Sequence, residues 1–382
     1  MKVGVIGVGL STNVGDQLIA KCVGTSISNI SVVDSVKYYD LTKGVYDVDY
    51  KHLSRPINTH REVAEKKRNH TIRFLKNFFL SFFISDAHHQ RTIEFIDECD
   101  FFIIGGGHLL IDNFGDFGLK LSDIIKKIKL KNKKAVFWSV GVGARHSLLY
   151  RIFCLPVIKE IPLYTRDKNS FSRAKRLGMN AKEVVLDSAF TCTDINFYIN
   201  ADRPAKRVLG LFIMDPNESS RHSDIQVSRE QAKEWWRKII VNSIRDYDEI
   251  LIANNGSVND YHFIVNYIKP LLDSNLNGIS YNVLEQSTSY LDVINSIEMS
   301  TDIIAQRLHA IIPSICRGKK TLGIKWDDKV ENIVGMINSD VLIGFDTDAD
   351  IVLDKLKNIK LNEINITAYK AILNNVIVGE SK

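Results

Sequence analysis

Short apolar runs rich in β-branched and aromatic residues alternate along this chain with longer stretches whose apolar positions recur at helical spacing. That alternation predicts a parallel sheet in an α/β protein. In the first half the predicted strands are Lys2–Ile6, Ile30–Tyr38, Phe101–Ile104, Ala135–Val140, Pro162–Thr165 and Glu183–Leu186. A polar, irregular stretch from Thr191 to Lys206, containing Asn200-Ala201-Asp202-Arg203-Pro204, reads as a linker. The pattern then restarts with Arg207–Ile213, Glu249–Ala253, Ser280–Leu284, Asp302–Ala305, Thr321–Ile324 and Val341–Gly344. Two such blocks in succession predict two Rossmann-like domains facing each other across a cleft, residues 1–195 and 205–382. The last helical segment, Glu363–Val376, is grouped with the second domain and can pack back on either.

One stretch breaks the alternation, an insertion over residues 60–98. Lys66, Lys67, Arg68, Arg73 and Lys76 form a basic cluster, and Phe74, Leu75, Phe78, Phe79, Phe82 and Phe83 recur at helical spacing as one wide apolar stripe. Two readings stay open: a helix docked on the core or a subunit interface, and an interfacial helix with Phe in lipid and Lys/Arg at anionic headgroups.

Composition narrows the class. With 382 residues, 45% hydrophobic and 25% charged, the chain reads as a globular protein large enough for two cores. A net charge of +5 suits anionic small molecules or an anionic membrane surface, and is too diffuse to argue for nucleic acid. Cys22, Cys99, Cys154, Cys192 and Cys316 are odd in number and scattered, which argues against a disulfide framework or zinc site and for a reducing cytoplasm. Met1 leads straight into a strand with no signal-peptide apolar region, and no run reaches transmembrane length.

The candidate chemistry gathers at strand ends, where an open parallel sheet presents its ligands. The first loop, Gly7-Val8-Gly9-Leu10-Ser11-Thr12-Asn13-Val14-Gly15-Asp16, lacks the third glycine of a dinucleotide fingerprint because Thr12 stands there. What remains is a small-residue turn in which Asn13, Gly15 and Asp16 open a helix. Binding a ligand and simple helix capping both fit. Gly105-Gly106-Gly107 after a buried strand strips side chains from the backbone and frees amides, with His108 and Asn113 placed to line the same crevice. Gly141 and Gly143 extend that floor. Arg166 and Asp187 end later strands, Arg166 as an anion clamp or in a salt bridge to Asp167 or another neighbour, Asp187 as an orienting group, a base or a cap. In the second block, Arg307 and His309 open the helix after Asp302–Ala305, where free amides and the macrodipole attract anions. Lys325, Asp327 and Lys329 follow the next strand and are expected to reach the same crevice, although each also fits a solvated surface.

Taken in order, Asn13-x-Gly15-Asp16, Gly105-Gly106-Gly107, Gly141-x-Gly143, Arg166-Asp167 with Ser170, Asp187-x-Ala189-Phe190, Arg307-Leu308-His309-Ala310 and Asp327-x-Lys329 resemble the polysaccharide pyruvyl transferase family. The resemblance implies a GT-B-like architecture, with the first domain on the acceptor side and the second on the donor side. It implies transfer of the enolpyruvyl part of phosphoenolpyruvate onto two sugar hydroxyls, giving a cyclic pyruvate ketal on a cell-surface polysaccharide or its lipid-linked precursor, and releasing phosphate. Arg307, Arg166 and Lys325 then become counter-charges and His309 the general acid, with Asp187 or Asp16 assisting deprotonation. No metal and no cofactor are expected beyond phosphoenolpyruvate as co-substrate. The partners expected are a lipid-linked or oligosaccharide acceptor and the inner face of the cytoplasmic membrane, with homo-oligomerisation left open. Pro313 inside the helix after His309 is expected to kink it. Other readings remain: a GT-B glycosyltransferase using a nucleotide sugar, a nicotinamide dehydrogenase disfavoured by Thr12, and a non-catalytic binding protein.

Overall fold

The computed structural model describes residues 1–11, 13–46, 76, 86–112, 117–195, 206–218, 226–275, 280–360 and 363–380. Asn113, and the Lys66–Ile84 stripe apart from Lys76, lie outside the described residues.

The first half holds the strands β1 (Lys2–Gly7), β2 (Ser35–Asp40), β3 (Val45–Tyr46), β4 (Phe101–Gly105), β5 (Lys134–Val140), β6 (Leu163–Thr165) and β7 (Ala181–Val184). They form a seven-stranded sheet in the order β3-β2-β1-β4-β5-β6-β7. All pairings are parallel except β3 against β2. The second half holds β8 (Val208–Phe212), β9 (Glu249–Ala253), β10 (Ser280–Val283), β11 (Asp302–Ala305), β12 (Lys320–Ile324) and β13 (Leu342–Ile343). These make an all-parallel six-stranded sheet ordered β10-β9-β8-β11-β12-β13. The strand order reverses between β1 and β4 in one sheet and between β8 and β11 in the other. Crevices open at such switch points, at the carboxyl ends of the strands.

Most predicted strands are observed within a residue or two, because runs buried on both faces are apolar throughout. Three departures have local causes. Strand β2 starts at Ser35 rather than Ile30, because Ile30 and Val33 close successive turns on Ile27 and Ile30 and Asp34 N bonds Met1 O. Strand β3 was not expected; it is a two-residue hairpin arm whose turn is held by Asp40 Oδ1, which accepts from Thr42 N and Lys43 N. The stretch read as linker from Thr191 begins instead as a buried 3₁₀ helix, Ser188–Asp194, in which Thr191 Oγ1 donates to Ser188 O.

The halves share one apolar cluster. Val14, Leu18 and Val23 of the first helix (Val14–Ser28) pack with Tyr290, Ile294, Leu308 and Ile311 of the second half. Tyr290 N also donates to the buried Gln17 Oε1, 3.2 Å away. The terminal helix, Thr367–Glu380, belongs in sequence to the second half but packs on the first. Tyr369 Oη accepts from Trp138 Nε1 at 2.7 Å and donates to Ser188 Oγ at 3.0 Å. Among the described residues no helix is long and apolar enough to cross a membrane.

Candidate active site at the interdomain cleft

The first helix begins at Val14 because Asn13 caps it, its Oδ1 accepting from Gly15 N at 3.1 Å. Gly15 then does something no cap requires. A Cβ there would lie 2.4 Å from His309 Nδ1 and 2.8 Å from His309 Cβ. Only glycine lets the helix start of one half rest against the imidazole of the other.

His309 sits in the first turn of Leu308–Cys316, a helix N-capped by Arg307, and its backbone leaves helical geometry at φ −87°, ψ 17°. Pro313 lies four residues on. It has no N–H for the His309 carbonyl, and its ring crowds that same carbonyl. The expected kink is therefore present, and it falls at His309. The ring is 10% exposed, with Nε2 buried, unbonded and 3.9 Å from Asp187 Oδ1. That separation exceeds a hydrogen bond, so the two attract as an ion pair only when the imidazole carries a second proton.

Asp187 is fully buried and accepts from Arg166 Nη1 and Ala189 N, each at 2.9 Å. Burial pushes its carboxyl up, but the His309 ring, the Arg166 guanidinium and the Ala189 amide outweigh this and hold it well below the ordinary aspartate range. Arg166 is 2% exposed, and its Nε is buried without a partner. Asp167 is not its partner; it caps the next helix by accepting from Ser170 N and Ser170 Oγ. Gly141 permits the crowding here, since a Cβ would come 2.9 Å from His108 Cδ2 and 3.1 Å from Arg166 Nε.

Asp16 faces the same space. It accepts from Ser11 Oγ, and a side chain at Gly107 would approach its Oδ1 at 3.6 Å. Burial raises its carboxyl above the usual value, in spite of Ser11 and of His309, Arg166 and Lys329 nearby. Gly106, at φ +79°, lets the loop pass under the first helix, where a Cβ would meet Ile19 Cγ2 at 1.8 Å. His108 opens toward the cleft, yet crowding protein atoms and the Arg166 and Lys329 charges hold its imidazole well below the ordinary histidine range.

Arg307 is expected as a counter-charge to an anionic donor, with its guanidinium turned to the ligand. Instead its Nε and Nη2 donate to the two oxygens of the buried Asp260, at 2.9 and 3.0 Å. Asp260 also accepts from Asp215 N, and Asp215 in turn pairs with Arg229 through two hydrogen bonds. This fork leaves Nη1 as the guanidinium nitrogen outside the pair. Asp260 escaped sequence reading because it lies inside the helix Val258–Phe263, although Asn254-Asn255-Gly256-Ser257 at the end of β9 marks that region as a strand-end loop. Gln306 was also missed; it is fully buried, and its Oε1 takes Met214 N across the β8–β11 switch.

After β12 the side chains split. Trp326 Nε1 donates to the carbonyl of Gln306, the residue before Arg307. Lys325 pairs with Glu331 at 2.7 Å and lines a separate cavity of about 920 Å³ with Trp235 and Phe345. The expectation that it reaches the crevice is not met. Asp327 caps the helix Asp328–Val334 and holds Lys329 at 3.2 Å. The Lys329 ammonium stands 5.0 Å from the Trp326 ring centre, and burial together with Arg166 and Arg307 pulls its pKa down against the pull of Asp327.

The cleft therefore gathers His309, Arg166, Arg307 and Lys329 as cationic or proton-carrying groups, drawn from both halves, around the carboxylates of Asp16 and Asp187. Residues 13–328 match the family model described as polysaccharide pyruvyl transferase. The chain belongs to that family. No curated protein matches it in sequence. Its structure is similar to the UDP-GlcNAc 2-epimerase of Methanocaldococcus jannaschii, with TM-score 0.58 and 12% identity, over 99% of this chain and 100% of that one. It is likewise similar to S. aureus MnaA in a co-structure with UDP, with TM-score 0.55 and 10% identity, over 100% of this chain and 96% of that one. These likenesses show a shared GT-B-like fold of two facing α/β halves. In this polysaccharide pyruvyl transferase family member, the matched span contains Asn13, Asp16, Arg166, Asp187, Arg307 and His309, and Lys329 follows directly after it.

Proposed function

We propose that this protein transfers the enolpyruvyl group of phosphoenolpyruvate onto two hydroxyls of one sugar, closing a pyruvate ketal and releasing phosphate. The observation that carries this reading is the meeting of His309 from one half with Gly15 and the Arg166–Asp187 pair from the other, among the cations Arg307 and Lys329. A donor with a phosphate and a carboxylate suits such a lining. His309 delivers a proton to the methylene carbon, leaving positive charge on the adjacent carbon. A sugar hydroxyl bonds to that carbon and the carbon–oxygen bond to phosphate breaks. A second hydroxyl then completes the ketal. Of the two hydroxyl protons released, one replaces that given by His309 and the other leaves with phosphate.

Asp187 stabilises the imidazolium before transfer, and Asp16, whose carboxyl burial raises above the usual value, exchanges protons with the incoming hydroxyls. The acceptor is a sugar of a cell-surface polysaccharide or its lipid-linked precursor, met at the inner face of the cytoplasmic membrane. No metal or cofactor beyond phosphoenolpyruvate is invoked. A second reading, glycosyl transfer from a nucleotide sugar, is favoured by the fold shared with the M. jannaschii UDP-GlcNAc 2-epimerase. Incubation with phosphoenolpyruvate and a panel of lipid-linked and nucleotide-linked sugars separates the two. Phosphate release with a product heavier by one pyruvate ketal supports the first, and nucleotide diphosphate release without phosphoenolpyruvate supports the second.

A further inference from the structure

Beyond Gly141 and Gly143 the chain turns at the carboxyl edge of the first sheet and enters a short helix, Leu148–Phe153. Tyr150 and Cys154 point inward, 2% and 0% exposed. On the outward side, Leu148 is 71% and Ile152 53% exposed, one helical turn apart. The outward face of a helix in a water-soluble domain is ordinarily polar. Here its only polar member in that run is Arg151, itself exposed, with Arg145 exposed just ahead of the helix. From Gly141 to Lys159 the sequence carries Arg145, Arg151 and Lys159 and no aspartate or glutamate. The flanking described carboxylates are both matched by lysines: Asp123 pairs with Lys127 at 2.6 Å, and Glu160, directly after Lys159, pairs with Lys129 at 2.5 Å.

We propose that this face seats on an anionic lipid bilayer. Exposed branched aliphatics enter the acyl boundary while the neighbouring guanidinium groups meet headgroup phosphates, the pairing that holds amphipathic segments at interfaces. A neutral protein partner would leave the arginines without counter-charge, and the run of cations without acids is what selects a lipid surface. The helix is tied to the cleft floor: Ser147 Oγ accepts from Tyr150 N at its start, and His146 Nε2 lies 3.2 Å from Leu110 O, next to the triple-glycine loop. Docking through it brings the first-half rim of the cleft to the membrane. The inference stands on the surface alone and does not depend on which donor the cleft takes.

The test is co-sedimentation of the full chain with phosphatidylcholine vesicles, with and without phosphatidylglycerol, in the absence of any substrate. The native protein should bind the anionic vesicles and lose binding as salt rises. Leu148→Ser/Ile152→Ser should weaken binding about tenfold or more, and each of Arg145→Gln and Arg151→Gln by about fivefold, the worth of one cation near an anionic surface. The charge variants alter exposed side chains and guard against misfolding as the cause; turnover on a water-soluble acceptor should be unchanged in all of them. Equal vesicle binding by native protein and the Leu148/Ile152 variant would overturn the assignment. So would absence of native binding, or a native dimer that the same pair of substitutions converts to monomer.

Discussion

At the scale of single residues, the proposed reaction separates groups that hold charge from the one that would move a proton. His309→Gln should lower turnover by about 10²–10⁴-fold, the usual worth of a positioned general acid, while phosphoenolpyruvate affinity measured by calorimetry changes little, since the proton is needed only as the transition state forms. An equal loss of affinity would make His309 an anion ligand instead. Asp187 supplies a pH signature. Its folded-state pKa lies below the roughly 3.9 of an unfolded aspartate, so its contribution to stability is complete above that value and is lost as pH falls through the folded-state value. Asp16 has the opposite sign: its raised pKa contributes below the unfolded value and that contribution is lost as pH rises through the folded-state one. Urea denaturation should therefore find Asp187→Asn more costly at pH 7 than at pH 3. Equal costs at both would remove the electrostatic account of the Arg166–Asp187–His309 cluster.

At the scale of elements, the helix Leu308–Cys316 is aimed by its proline. Pro313→Ala supplies the N–H that the His309 carbonyl lacks and removes the ring that crowds it, drawing His309 into the regular helix and away from Asp187. Turnover should fall by ten- to roughly a hundredfold, the scale of loss when a reacting group shifts by about 1 Å, with thermal stability equal or higher. A variant that is both stable and fully active would show that the kink has no part in the chemistry. The strand ends tell a related story. Just past β12, Trp326 bonds the carbonyl of Gln306 while Lys325 pairs with Glu331 beside a separate cavity, so a lysine adjacent in sequence to the site is turned away from it in space.

At the scale of the whole molecule, the two halves are held by a shared apolar cluster and by the C-terminal helix returning to the first sheet. Tyr369 is the polar anchor of that return. Tyr369→Phe leaves the buried Trp138 Nε1 and Ser188 Oγ without this partner, which should cost about 1–3 kcal/mol in unfolding free energy, read by urea denaturation. Because the 3₁₀ helix that carries Ser188 follows directly on Asp187, the same variant should also depress turnover. Stability loss with native turnover would confine the helix to a structural role.

Local pattern was enough to show the two α/β blocks, nearly every strand, and the strand-end positions of Asn13, Gly15, Asp16, Arg166, Asp187, Arg307 and His309. The reason is that a doubly covered parallel sheet demands continuous apolar runs and puts its ligands at their carboxyl ends. Pairing across the fold was not legible in that way. That Arg307 is forked onto Asp260, that Arg166 serves Asp187 and not its neighbour Asp167, and that Gly15 abuts His309 from the other half depend on contacts between residues far apart in sequence, 21 positions for the second and 47 for the first. Hydrophobic periodicity specifies which face of an element is buried but carries no information about which element covers it. Only the packing of the two halves on each other decided which charges are partnered and which are left to meet a ligand.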